Sequence, residues 1–66
     1  MTFSEIRDNA IHLMQMCVDL IEINPGTLDR GMSKAWALVD VGVLTYSEGE
    51  EWRDCMLDAY KRSLEQ

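Results

Sequence analysis

The stretch FSEIRDNAIHLMQMCVDLIEI, residues 3–23, decides the fold of this 66-residue chain. Its apolar side chains form two adjacent rows at spacings of three and four residues, which is the period of an α-helix. The first row consists of Phe3, Ile6, Ala10, Leu13, Cys17 and Leu20, and the second of Ile11, Met14, Val18 and Ile21. The two rows cover about half of the helix surface, more than the stripe of about 100° that one packing partner requires. The helix therefore needs cover from more than one side.

The start and end of this first helix are marked by local signals. Thr2 and Glu5 have the spacing of a capping box, in which side chains satisfy the backbone N–H groups of the first turn. At the other end, Asn24-Pro25-Gly26 combines a residue biased away from helix, a proline and a glycine. A helix over about residues 3–23 is predicted.

A second helix is predicted over about residues 28–41. Thr27 is expected to cap it, and Gly42 is expected to end it in the left-handed conformation. The alternation of valines at 39, 41 and 43 with Asp40 and Gly42 leaves a short strand as the alternative for this segment.

A third helix is predicted over about residues 46–63, because two capping boxes overlap at its start. Thr45 stands three residues before Glu48, and Ser47 three residues before Glu50. Apart from the valines at 39, 41 and 43, no alternating strand pattern, repeat or low-complexity tract accompanies the helices. The sequence thus predicts one all-α domain over residues 1–66, with three helices that form a bundle-type homodimer.

Length and charge limit the classes of partner. A chain near this size buries only about 60% of the surface that it exposes when unfolded, so self-association would stabilise it. The net charge is −6, with residues 1–24 and 45–66 contributing −3 each, which disfavours contact with nucleic acid. No signal peptide and no apolar run of membrane-spanning length are recognisable. A soluble cytoplasmic protein that binds another protein is expected, with no membrane contact.

The two cysteines, Cys17 and Cys55, lack the spacing of a zinc or redox site. Both fall on apolar helical faces, so they are interpreted as small buried side chains in a reducing compartment. A disulfide between the first and last helices is the alternative.

No residue pattern indicates catalysis or a cofactor. The single histidine, His12, shares a polar helix face with Asp8 and Asp19, but no second histidine is present to complete a metal site. The carboxylates of the third helix are expected in its first turn, where the helix dipole favours negative charge, and on its solvent-exposed face. A non-enzymatic protein without metal or cofactor is predicted.

Two sets of residues are predicted to make contacts with other chains. Met16 and Ile23 are apolar on the polar face of the first helix, where an exposed large apolar side chain often marks contact with another chain. Trp52 is a candidate interface anchor, whereas Trp36 is assigned to the core. The self-association set consists of Ile6, Leu13, Met14, Cys17 and Ile21. The partner-binding set consists of Met16, Trp52, Glu48, Glu51 and Asp54.

Size, acidity and helical pattern, together with the segment Ala37-Leu38-Val39-Asp40-Val41-Gly42-Val43-Leu44-Thr45-Tyr46-Ser47-Glu48, resemble the small accessory proteins that temperate bacteriophages encode in their early regions. The resemblance implies a protein made early in infection that alters host or phage regulation by binding a protein. It assigns no function to any individual residue.

The leading hypothesis is therefore a non-enzymatic regulator that binds a host or phage protein through helical faces, with the acidic third helix favouring a basic partner. One alternative is a nucleic-acid binder, for which Gly42 would lie in a helix-turn-helix. Its basic surface would consist of Arg30, Lys34, Arg53, Lys61 and Arg62. The other alternative is an acidic decoy that occupies the basic groove of a DNA-binding protein.

Overall fold

The structure, a computed structural model, describes residues 2–65. It contains three α-helices: α1 (Phe3–Ile23), α2 (Leu28–Asp40) and α3 (Tyr46–Leu64). A 3₁₀ turn at Pro25–Thr27 joins α1 to α2. The predicted all-α fold is confirmed, and each predicted helix end lies within one residue of the observed one. No helix within residues 2–65 has both the length and the apolar character needed to cross a bilayer.

The connection between α1 and α2 differs in one detail from the prediction. The side chain of Asn24 accepts a hydrogen bond from the N–H of Gly26 at 3.2 Å and so caps the 3₁₀ turn. Thr27 occupies the N-cap position of α2, as predicted, but its side chain makes no capping hydrogen bond to the helix. The Thr27 hydroxyl instead donates to the Asn24 carbonyl of the preceding turn at 2.8 Å.

The end of α2 is a Schellman motif, in which the residues after the helix bond back to its last turn. The N–H of Val43 donates to the Leu38 carbonyl at 2.9 Å, and the N–H of Gly42 donates to the Val39 carbonyl at 3.0 Å. Gly42 has a φ of 82°, the left-handed conformation that was predicted for it. The alternative of a strand over residues 39–43 is wrong, because this motif uses the backbone groups that a strand would need.

The start of α3 is the capping box formed by Thr45 and Glu48. The Thr45 hydroxyl accepts from the N–H of Glu48 at 3.2 Å, and the Glu48 carboxylate accepts from the N–H of Thr45 at 2.9 Å. Of the two overlapping boxes in the sequence, the first one therefore sets the start of the helix. Ser47 lies inside the first turn.

All three helices contribute to one apolar core, and Leu44 from the second connection joins it. Its most deeply buried large side chains are Met14 and Ile21 from α1 and Met56 from α3. The other members are Cys17, Val18, Ala35, Leu44 and Ala59. Both α2 and α3 therefore cover α1, as its wide apolar surface requires.

Candidate functional site

One edge of α1 carries large apolar side chains that α2 and α3 leave in contact with solvent. This α1 row consists of Ile6, Leu13, Met16, Leu20 and Ile23. Met16 is 58% exposed and Ile23 is 82% exposed, whereas Leu13 is half-buried and packs against the core. The row is apolar from Leu13 to Ile23, and the exposed Asn9 separates this part from Ile6. A cluster of exposed apolar side chains on a small protein is typical of a contact surface, whereas scattered single side chains are not.

The position of α2 explains why this edge of α1 stays open. The two helices approach closely at Gly31, where an added Cβ atom would lie 3.2 Å from Ile21 Cδ1 and 3.5 Å from Cys17 Cβ. The contact therefore covers Ile21 and Cys17. Leu20 lies further round the helix, beyond α2, and remains 47% exposed.

A shallow hollow of about 380 Å³ follows the α1 row beside α2. Leu13, Met16, Leu20 and Ile23 line it together with Cys17. Two charged side chains also border the hollow, Asp19 from α1 and Lys34 from α2. Arg30 stands one turn before Lys34 on α2 and borders the adjoining crevice. The hollow is thus apolar along its length, with an acidic residue from α1 and basic residues from α2 at its margins.

A second hollow, of about 330 Å³, lies between α1 and α3. It is lined by Ile11 from α1 and by Glu48, Glu51, Trp52 and Cys55 from α3. Trp52 is half-buried and packs against the core with part of its surface. This Trp52 hollow therefore combines an aromatic wall with two carboxylates.

The carboxylate of Glu48 is held in place by groups from two other parts of the chain. Arg7 on α1 donates one hydrogen bond to Glu48 Oε1 at 2.9 Å, a second to Oε2, and a third to the Val43 carbonyl at 3.2 Å. The hydrogen bond from Arg7, followed by that from the Thr45 backbone, lowers the pKa of Glu48 from 4.5 to about 2. The charge of Glu48 is thus already paired, so Glu51 is the carboxylate of the Trp52 hollow that is open to a partner.

The predicted self-association set is divided by the fold. Met14, Cys17 and Ile21 belong to the core of the chain itself, which corrects their predicted role as a self-association surface. Cys17 also lines the hollow beside the α1 row. Ile6 and Leu13 lie on the α1 row, so their part in self-association stays a prediction.

The predicted partner-binding residues lie on separate surfaces. Met16 belongs to the α1 row, whereas Trp52, Glu48 and Glu51 line the Trp52 hollow. Asp54 is absent from the lining of that hollow and accepts a hydrogen bond from Arg53 at 3.2 Å. Whether any of them binds a partner stays a prediction.

Both tryptophans are half-buried. The prediction that Trp36 belongs to the core is wrong, because its ring packs on Tyr46, with ring centroids 5.4 Å apart, and on Gly49 of α3, where an added Cβ atom would be 3.0 Å from Trp36 Cζ3. Trp52 packs against the core with part of its surface and lines the Trp52 hollow with the rest, which agrees with its predicted peripheral position.

The predicted burial of the two cysteines is correct for Cys17 and wrong for Cys55, which is exposed. Both are free thiols.

Leu20 and Ile23 belong to the α1 row but are missing from both predicted sets, although the sequence already places Ile23 with Met16 as an apolar residue on the polar face. A signal for them is present in the sequence, because Leu20 follows Leu13 by seven residues and Ile23 follows Met16 by seven. The sequence assigns Lys34 only to the alternative nucleic-acid surface. Its place beside the α1 row depends on how α2 packs, which no local pattern reveals.

The remaining charged groups are arranged in ordinary surface pairs. Arg62 donates a hydrogen bond to Glu22 at 2.9 Å, which raises the pKa of Arg62, and Arg53 bonds to Asp54. His12 is exposed. Within residues 2–65, no three His, Cys, Asp or Glu side chains converge as the ligands of a metal ion would.

No family model, curated protein or solved structure matches the chain.

Proposed function

We propose that this protein is non-enzymatic and acts by binding another protein through the α1 row. The observation that carries the proposal is the exposure of large apolar side chains along one edge of α1. Removing apolar surface from water is favourable by about 25 cal/mol for each Å² buried, so a partner that covers the row gains free energy. The row follows the helix axis, which suits an amphipathic helix lying in the adjacent hollow.

The charge of the molecule supports a preference for basic partners. The net charge is −6, and Glu51 leaves a carboxylate beside the indole of Trp52. A partner that carries lysine or arginine near an apolar anchor would be attracted to the Trp52 hollow and aligned by it. Trp52 and Glu51 are the proposed contacts of such a partner at the hollow, whereas Met16 is a proposed contact on the separate α1 row.

We also propose a regulatory role in the cytoplasm, of the kind that the phage resemblance implies. The proposal includes a homodimer, because the α1 row offers the same kind of surface to a second copy as to a different protein.

Nucleic-acid binding is the weaker alternative. It would require five basic residues, and two of them, Arg53 and Arg62, are hydrogen-bonded to carboxylates. The acidic decoy also remains an alternative.

The experiment compares two exposed leucines that differ in position. Leu20 belongs to the α1 row and is 47% exposed, whereas Leu64 ends α3 and is 61% exposed. Each is replaced by glutamate, so both variants acquire the same charge. Tagged wild type and both variants are crosslinked in cells, and the captured proteins, including untagged copies of the chain, are identified by mass spectrometry.

We expect the wild type and Leu64→Glu to capture the same protein and Leu20→Glu to lose it. Circular dichroism shows whether both variants keep their helix content. If Leu20→Glu stays folded and captures the same protein as the wild type, the α1 row is not the binding surface. Capture of no protein by any of the three chains would also contradict the proposal.

A further inference from the structure

The α1 row has the spacing of a coiled-coil seam. In the seven-residue repeat of coiled coils, apolar side chains alternate between two positions, a and d, at intervals of three and four residues. The a positions of α1 are Ile6, Leu13 and Leu20, and the d positions are Asn9, Met16 and Ile23. Five of the six positions are apolar. Leu13 is half-buried and packs against the core, whereas the other five positions are exposed. Most of the repeat is therefore left open to a partner.

The repeat is short, since coiled coils are ordinarily recognised from about three to four heptads. An isolated peptide of this length would lose most of its binding energy in forming the helix. Here α1 is already folded, because α2 and α3 hold its other side. A helix that packs on the row therefore meets a preformed surface.

The charges beside the row indicate which partner helix fits it. Glu5 and Asp19 each occupy the position directly before an a residue, which places them on one flank of the row. On the other flank α2 contributes Arg30 and Lys34. A partner helix that matches both flanks must carry a basic flank opposite the acidic one and an acidic flank opposite the basic one. A second copy of this chain meets that requirement in one orientation.

That orientation is parallel. When two copies are related by a twofold axis along their parallel α1 helices, the acidic flank of each copy faces the basic flank of the other. Asp19 then lies toward the partner's Lys34, and the same contact occurs twice. In an antiparallel pair, like flanks meet instead, so acidic residues face acidic residues and destabilise the contact.

Asn9 favours the same orientation. In a parallel pair, a d position faces the same position of the other chain, so Asn9 lies beside the partner's Asn9 and the two amides can bond to each other. In the antiparallel register that best superimposes the two rows, Asn9 would lie against the partner's Leu20. A polar group that faces a leucine across a desolvated seam lacks a hydrogen-bond partner, which is unfavourable.

We propose that the α1 row is the seam of a parallel homodimer, with Asp19 paired to the partner's Lys34 on both sides. The inference rests on the proposed function, because it names the protein that covers the row. It adds a partner, an orientation and a specific ion pair.

The first test is sedimentation equilibrium with reductant present, using wild type, Asp19→Lys and Lys34→Asp. The wild type is expected to show twice the monomer mass of 7.6 kDa. Each single variant is expected to raise the dissociation constant of the dimer by roughly fivefold or more, because two attractive contacts become repulsive. An equimolar mixture of the two variants is expected to restore the wild-type affinity, since every contact then joins a lysine of one chain to an aspartate of the other.

The single variants and their mixture together distinguish a parallel dimer from the other arrangements. In an antiparallel dimer, Asp19→Lys would place a lysine near the partner's Glu5 and strengthen association by itself. An ion pair confined to one chain would not be restored by mixing two different chains. Either result overturns the proposal.

The second test is disulfide capture in a Cys55→Ser background, which removes the exposed native thiol. Ile6→Cys is expected to form a dimer by air oxidation, because parallel seams bring equivalent a positions together. In an antiparallel dimer, residue 6 of the two chains would be about 25 Å apart, well beyond the Cα separation of at most about 7 Å that a disulfide allows. Ser4→Cys, an exposed residue outside the row, is the control and is expected not to crosslink.

A monomeric wild type at every concentration, or a dimer unaffected by Leu20→Glu, overturns the inference. The proposed function fails separately, if the folded Leu20→Glu variant captures every protein that the wild type captures. If the wild type is a monomer and captures a different protein that Leu20→Glu does not capture, the homodimer is contradicted and the proposed function stands.

Discussion

Arg7 and Glu48 join α1 to the first turn of α3, although 41 positions separate them in the sequence. The guanidinium donates to both carboxylate oxygens, and the same carboxylate closes the capping box by accepting from the N–H of Thr45. Arg7 also bonds to the Val43 carbonyl, just before α3 begins. One ion pair therefore connects α1, the second connection and the start of α3.

We expect this pair to make stability depend on acid. The pKa of Glu48 is lowered from 4.5 to about 2 in the folded chain, chiefly by the hydrogen bond from Arg7. Because the unfolded chain takes up the proton first, the free energy of unfolding falls as the pH decreases from about 4.5 toward about 2. Above that range the contribution is fully present. Thermal unfolding between pH 7 and pH 2 measures the dependence.

The variant Glu48→Gln tests whether the pair of Arg7 and Glu48 causes the acid dependence of stability. The variant is expected to unfold at lower temperature at pH 7 and to show a flatter pH dependence between pH 4.5 and pH 2 than the wild type. Glu51→Gln, an exposed glutamate three residues further along α3, is the control for loss of one negative charge. Identical pH profiles for the wild type and Glu48→Gln would show that this pair does not govern acid stability.

The helices were predictable from sequence because their signals are local. Thr45 and Glu48 are three residues apart, and Gly42 acts through its own φ angle, so neither signal depends on the rest of the fold. The partner of Arg7 could not be predicted, because it depends on how α1 and α3 pack. The same holds for the open edge of α1. The sequence predicts an apolar surface too wide for one neighbour, but the close approach at Gly31 determines which part α2 covers.

Gly42 is expected to resist substitution for conformational reasons alone. Its φ is 82°, and an added Cβ atom would have no other group within 4 Å, so steric overlap is not involved. Gly42→Ala should lower the free energy of unfolding by about 1–2 kcal/mol, the penalty for a side chain in the left-handed region. Gly42→Asn should cost less, because asparagine tolerates this region better. Urea denaturation measures the free energy of unfolding of the wild type and the two variants. Equal stability of the alanine variant and the wild type would contradict the prediction.

Gly49 is expected to resist substitution for the opposite reason, which is close packing. An added Cβ atom would lie 2.6 Å from Val39 Cγ2 and 3.0 Å from the ring of Trp36. Gly49→Ala should therefore lower the free energy of unfolding by about 1–3 kcal/mol, although alanine is the better helix former. Denaturant titration, with Trp36 and Trp52 fluorescence as the signal, measures the change.

The double variant Val39→Ala/Gly49→Ala identifies the cause. Removing the Val39 methyl groups makes room for the new Cβ atom, so the double variant should be more stable than the two single effects predict when added. A coupling of about 1 kcal/mol or more is expected for side chains in direct contact. Simple additivity would mean that Gly49 is needed for another reason than its contact with Val39.

Ile21 and Ile23 provide the sharpest separation between the core and the binding surface. They are two residues apart on α1, yet Ile21 is 0% exposed and Ile23 is 82% exposed. A glutamate at position 21 would place a charge in the apolar core, at a cost of several kcal/mol that exceeds what a domain of this size can withstand, roughly 3–5 kcal/mol. Ile21→Glu, like Met14→Glu, should therefore lose its helical circular dichroism signal at 25 °C. Ile23→Glu should keep that signal and lose association through the α1 row. If Ile21→Glu stayed helical, the packing of α2 and α3 on α1 would be wrong; if Ile23→Glu unfolded, the edge of α1 at Ile23 would be part of the core.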